Sequence, residues 1–111
     1  MRNVILSNEF EQYYAALPAQ IKIKFDYAIN ILQTVAVPNT KFVKKIQNSE
    51  FYEMRVSVGT NEYRSLLFSI DNDNIINATQ VLILNSFLKK SNKDYPKQIA
   101  IAENILKQFE Q

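Results

Sequence analysis

Apolar and polar positions recur along this chain in two periods, and each change of period marks an element. Val4, Ile5 and Leu6 have β-type bulk and predict a short strand over residues 2–6. Ser7 or Asn8 then offers an N-cap, and Glu9 and Glu11 fall in a first turn where the helix dipole favours anions. Phe10, Tyr13, Tyr14 and Leu17 carry that helix to about residue 16, where Pro18 breaks it and suits the first position of the next. In the second helix Ile21, Phe25, Ala28, Ile29 and Leu32 share one face. Lys22, Lys24, Asp26 and Asn30 supply much of the polar remainder, and Pro38-Asn39 closes the element. Two helices joined at one proline predict a helical hairpin laid against a sheet.

Residues 41–46 predict a strand before a Gln47-Asn48-Ser49 turn, and from there the period is two. Tyr52, Met54, Val56 and Val58 fall on one face and Phe51, Glu53, Arg55 and Ser57 on the other. One face is therefore core and the other carries charge. Gly59-Thr60-Asn61 reads as a hairpin loop holding the one glycine of the chain, where φ > 0 is available. Residues 62–70 return as a strand, Asp71-Asn72-Asp73-Asn74 turns again, and residues 75–88 contain a long strand centred on Val81 to Leu84. Pro96 begins a last helix with Ile99, Ala102, Ile105, Leu106 and Phe109 as its apolar face. The order β-α-α-β-β-β-β-α predicts one α+β domain over residues 1–111: a compact antiparallel sheet with an N-terminal helical hairpin and a C-terminal helix, the helices on one face.

Composition narrows the chemistry. With 47 per cent apolar and 22 per cent charged residues in 111, the chain is an ordinary globular domain with a core. It has neither cysteine nor histidine. Thiolate and histidine metal sites are excluded, and acid–base chemistry falls to Glu, Asp, Lys, Tyr or Arg. No metal and no small-molecule cofactor is expected. No apolar run approaches the roughly 18–20 residues of a membrane span, and no signal-peptide pattern opens the chain. A cytoplasmic protein with no membrane partner is expected. The net charge of +2 is modest but unevenly spread. Lys41, Lys44 and Lys45 precede the central strands, and Lys89, Lys90, Lys93 and Lys97 follow them. Between them Glu50, Glu53 and Glu62 alternate with Arg55 and Arg64. Strands about 5 Å apart can gather such cations into one site for a phosphate backbone.

Phe51-Tyr52-Glu53-Met54-Arg55, then Gly59, then Tyr63-Arg64, resemble the (Y/W)ELR…G…YR signature of the HigB-like branch of the RelE/ParE toxin superfamily. Leu84-Asn85-Ser86-Phe87-Leu88-Lys89-Lys90-Ser91 resembles the L(H/N)GF-x-KK(T/S) end of that family's last strand. Lys93, Pro96, Ile99 and Ala102 match the spacing of its final helix start. The chain departs from the pattern at Ser86, where glycine is usual, at Asn85, where many members have histidine, and at Gln98, where an acid is common. Residues 71–80 also form a longer segment than usual.

The resemblance implies a type II toxin, held silent by a cognate antitoxin, that cuts mRNA on the ribosome as a metal-independent endoribonuclease. ParE-like relatives share the fold and inhibit DNA gyrase without RNase residues; a degenerate antitoxin-binding module is a third reading. Such cleavage takes a proton from the 2′-OH, stabilises a charged phosphorane and protonates the 5′-oxygen. Arg55 and Arg64 are the candidates for gripping the phosphate, since guanidinium matches it in bidentate geometry. Their alternative is structural pairing with Glu53 or Glu62. Lys89 and Lys90 point to opposite sides of a strand, so one of them at most faces the site, where it would act on phosphate or proton. Glu53 is a candidate general base, and Tyr95 a candidate proton donor or base-stacking group. Lys41, Lys44, Lys45, Lys93 and Lys97 are candidates for the RNA or ribosome backbone, or else a solvated basic face.

Overall fold

A computed structural model describes residues 1–110. Among them, five strands and three helices follow the predicted order: β1 (Asn3–Leu6), α1 (Asn8–Ala15), α2 (Ala19–Thr34), β2 (Val43–Lys45), β3 (Tyr52–Val58), β4 (Asn61–Ser69), β5 (Gln80–Lys89) and α3 (Asp94–Phe109). A 3₁₀ turn at Ile75–Asn77 precedes β5. Among the same residues no helix is long and apolar enough to cross a membrane.

The caps explain the helix starts. The Ser7 hydroxyl accepts the Phe10 N–H at 3.0 Å and also donates to the Leu84 carbonyl, which ties the start of α1 to β5. Pro18 is the N-cap of α2 rather than its first residue, and α2 ends at Thr34, four residues before Pro38. α3 starts at Asp94, two residues before Pro96.

The sheet corrects the expected architecture. Its strand order is β1-β5-β4-β3-β2, and β1 runs parallel to β5 while the other pairs are antiparallel. An antiparallel neighbour follows from a tight hairpin; β1 has none, and its partner lies nearly 80 residues on in the chain, which leaves a parallel pairing open to it. Nor are the helices on one face. Phe10, Phe25, Ala28 and Leu32 from α1 and α2 pack with Met54, Val56, Tyr63, Leu67, Val81 and Ile83 on one side. Ala102, Ile105 and Leu106 from α3 pack with Phe51, Leu66, Leu82, Leu84 and Phe87 on the other. The β5 run Val81 to Leu84 is buried throughout because helices cover both of its faces. Phe109, counted with the α3 core face, is 46% exposed.

Two local devices aim the site. Val58 pairs with Asn61 across Gly59-Thr60, and Gly59 alone of those two has positive φ (+61°), as a type II′ hairpin requires. That turn sets the β3–β4 register and makes Arg55 and Arg64 direct partners. On β5 a bulge shifts the register between the Ser65–Ser86 and Leu67–Ile83 pairs. Leu84 and Asn85 therefore both turn toward α3, and Phe87 and Lys89 follow Asn85 onto that face instead of facing the hairpin.

Candidate functional site

On the α3 side of the sheet, an open cleft of about 660 Å³ lies between the β2–β3 loop and the start of α3. Its walls carry Lys44, Lys45, Glu53, Arg55, Lys89 and Tyr95, with Gln47, Asn48 and Asn92 at the rim. Four elements contribute chemistry to it: β2, β3, β5 and α3.

Glu53 is the hub. One of its oxygens, Oε1, lies 3.2 Å from Arg55 Nε and 3.4 Å from Arg64 Nε. These are ion-pair distances without hydrogen-bond alignment, so both buried Nε–H groups lack an aligned acceptor among the described residues. Glu53 is itself buried, with a side chain only 7% exposed. Arg64 is sealed beneath it at 2% exposure, with Nη2 donating to Glu62 Oε1 at 3.2 Å and Nη1 to the Tyr63 carbonyl at 3.0 Å. Arg55 is 28% exposed and reaches the Thr40 carbonyl with Nη1 at 3.3 Å. The Ser57 hydroxyl donates to the same Glu62 oxygen at 2.9 Å and, with Arg64, holds the Glu62 carboxyl below its usual range.

Tyr95 closes the cleft from α3. Its ring meets Phe87 edge-on at 5.7 Å, and Lys89 Nζ stands 5.5 Å above the same ring. Burial, and then the neighbouring Glu53 carboxylate, push the Tyr95 hydroxyl above the ordinary phenol range, against the opposing pull of Arg64. The proton is thus held tightly next to a carboxylate.

The sequence candidates divide. Glu53, Arg55, Lys89, Tyr95, Lys44 and Lys45 meet at the cleft, and Arg64 lies under its floor. Lys45 Nζ sits 5.4 Å from the Tyr52 ring and donates to the Ser49 carbonyl, so the β2 edge holds it in place. Lys90, beyond the end of β5, is exposed and does not line the cleft; its backbone N–H is taken by Asp94 Oδ2 at 2.7 Å. Lys93 and Lys97 are exposed and outside it as well. Lys41 borders a separate hollow of about 190 Å³ between α2 and β3, which Arg55 shares.

The pairing of Arg64 with Glu62 is the structural alternative that the sequence offered, whereas sequence reasoning missed Phe87 as the support of Tyr95, Ser57 as the second hold on Glu62, and Asn92 on the rim. The loop spacing from Lys89 to Tyr95 was the available signal for Asn92; the others depend on register. It also passed over Arg2, whose guanidinium is buried. Nε donates to the Ile75 carbonyl at 2.8 Å, Nη1 to those of Leu32 and Val35 at 2.9 and 2.7 Å, and Nη2 to that of Ala36 at 2.7 Å. It closes the C-terminal end of α2 onto the 3₁₀ turn.

The model of a family described as phage derived protein Gp49-like (DUF891) matches residues 12–107. Among curated proteins and among solved structures, none matches the chain.

Proposed function

The chain belongs to the Gp49-like family of phage-derived proteins, and on that premise we propose that it is the toxin of a type II toxin–antitoxin pair, an endoribonuclease that cuts mRNA on the ribosome. The family is related to RelE-like toxins and associated with toxin–antitoxin toxins, which brings an antitoxin as partner. The observation that carries the cleavage reading is the convergence of Glu53, Tyr95 and Arg55 on one cleft in a chain without histidine.

In this reading the Glu53 carboxylate takes the proton of the 2′-hydroxyl as that oxygen bonds to phosphorus. Tyr95 gives its proton to the 5′-oxygen as the P–O5′ bond breaks. The products are a 2′,3′-cyclic phosphate and a 5′-hydroxyl, and Glu53 returns its proton to the adjacent Tyr95. Arg55 and Lys89 neutralise the phosphorane, while Lys44 and Lys45 hold the flanking backbone. Both proton transfers run through side chains of this chain, so the step needs no metal. Arg64 holds Glu53 at the floor of the empty cleft.

Arg64's 2% exposure favours a second reading, a binding module in which the Glu53–Arg55–Arg64 group is structural. Induced expression in a bacterial host, with growth and mRNA 5′ ends followed together, separates the two. Growth arrest with new in-frame cuts is expected. Arrest with intact mRNA and damaged DNA would point to gyrase instead, and folded protein without arrest would leave the binding module.

A further inference from the structure

Glu53 lies between the cleft and Arg64. Glu53 and Arg55 line the cleft and Arg64 does not. Two guanidiniums share a single carboxylate oxygen, and neither Nε–H finds an aligned acceptor among the described residues. A carboxylate in that position neutralises charge without satisfying the donors. A phosphodiester has two free oxygens, and these can align with donors from two arginines. Charge points the same way. At the floor Arg55 and Arg64 face Glu53 and Glu62, two positive against two negative, so an added anion there requires an acid to leave. Glu62 is held by Ser57 as well as Arg64, whereas Glu53 borders the open cleft.

We propose that Glu53 is the resident anion of a phosphate seat: it occupies the position between Arg55 and Arg64 until an RNA phosphodiester displaces it and frees its carboxylate for the 2′-hydroxyl. The inference rests on the cleavage reading for its ligand and for the use of the freed carboxylate. Substrate then switches on its own base. In the empty site the carboxylate is engaged with two cations; in the filled site the phosphate takes those contacts and leaves the carboxylate beside the attacking oxygen. The rim cations Lys44, Lys45 and Lys89 draw the backbone in before the exchange.

The test follows the glutamate carboxyl groups by ¹³C NMR in the full chain while a 2′-O-methyl RNA oligonucleotide, which lacks the nucleophile, is added. Glu53→Gln identifies the Glu53 resonance, and Glu53→Asp identifies it where the glutamine variant does not fold. Expected is a shift of the Glu53 resonance with the Glu62 resonance unmoved, and about ten-fold tighter binding by Glu53→Gln. A Glu53 resonance that stays put at saturation overturns the seat, as does weaker binding by a folded Glu53→Gln variant. Messenger RNA left uncut on translating ribosomes, with the resonance still moving, removes the cleavage reading and keeps the seat. Cutting with the resonance unmoved does the reverse, and absence of saturable oligonucleotide binding removes the seat.

Discussion

Arg55 and Arg64 are direct partners in the β3–β4 pairing, two guanidiniums side by side on the α3 face of the sheet. Like charges directly opposite one another destabilise a sheet, so the pair persists through the acids that bind it. Glu53 serves both members, but their exposures differ, 28% for Arg55 and 2% for Arg64.

That asymmetry separates two substitutions. Arg64→Met removes a buried guanidinium from two acids, Glu53 and Glu62, and is expected to cost about 3–5 kcal/mol. Arg55→Met, near the surface, is expected to cost less than about 1 kcal/mol while abolishing RNA cleavage. Urea unfolding of the two variants checks this; equal destabilisation would sink the assignment of Arg64 to the floor.

Arg2 makes a stability prediction away from the site. Its fork reaches carbonyls of α2, of the segment after it and of the 3₁₀ turn, and burial lowers its pKa from the ordinary arginine value. Arg2→Lys keeps the charge but cannot fork. Several charge-assisted bonds disappear, at about 2–3 kcal/mol in total, and amides at the end of α2 should exchange faster. Unchanged exchange there would remove Arg2 as the closure of that helix.

Much of this arrangement was legible in the sequence, because local chemistry encodes it. The Phe25–Ala28–Leu32 spacing identified the buried face of α2, and Gly59 located the turn that brings Glu53 and Arg55 beside Arg64. What escaped reading is non-local. The parallel β1–β5 pairing has no hairpin to announce it. α3 packs on the face opposite the helical hairpin, a choice its apolar stripe does not encode. The β5 bulge inverts the faces of Phe87 and Lys89, so that alternation counted from Val81 assigns them to the wrong side. Arg64 looked like a surface grip because arginine is seldom buried, and its burial depends on three other elements meeting over it.

The cationic rim predicts a pattern in salt. Lys44, Lys45 and Lys89 line the cleft; Lys90, Lys93 and Lys97 do not. Replacing the first three with alanine should reduce the dependence of log K on log salt by about 0.7 for each single-strand phosphate that is no longer neutralised. The same replacement of the other three should leave that slope almost unchanged. Equal slopes for both triple variants, measured with one RNA oligonucleotide, would return all six lysines to a solvated basic surface.

Tyr95 predicts a pH dependence whose sign is determined by its surroundings. Burial first, and Glu53 second, raise its pKa above the ordinary value of about 10. The folded state therefore holds this proton more tightly than the unfolded chain does. The stability it contributes is whole below about pH 10 and is lost as pH climbs through the folded value. A general acid in that position keeps working to the same limit, so cleavage should fall on an alkaline limb above the ordinary phenol range. Tyr95→Phe is expected to lower the rate by about 10²–10⁴ and to erase the limb. Replacing Glu53 with Gln should lower the Tyr95 titration, read as the absorbance difference between each protein and its Tyr95→Phe counterpart. A titration that ignores Glu53 would mean that the two groups do not share a proton path, and Glu53 could not then restore the acid after each turnover.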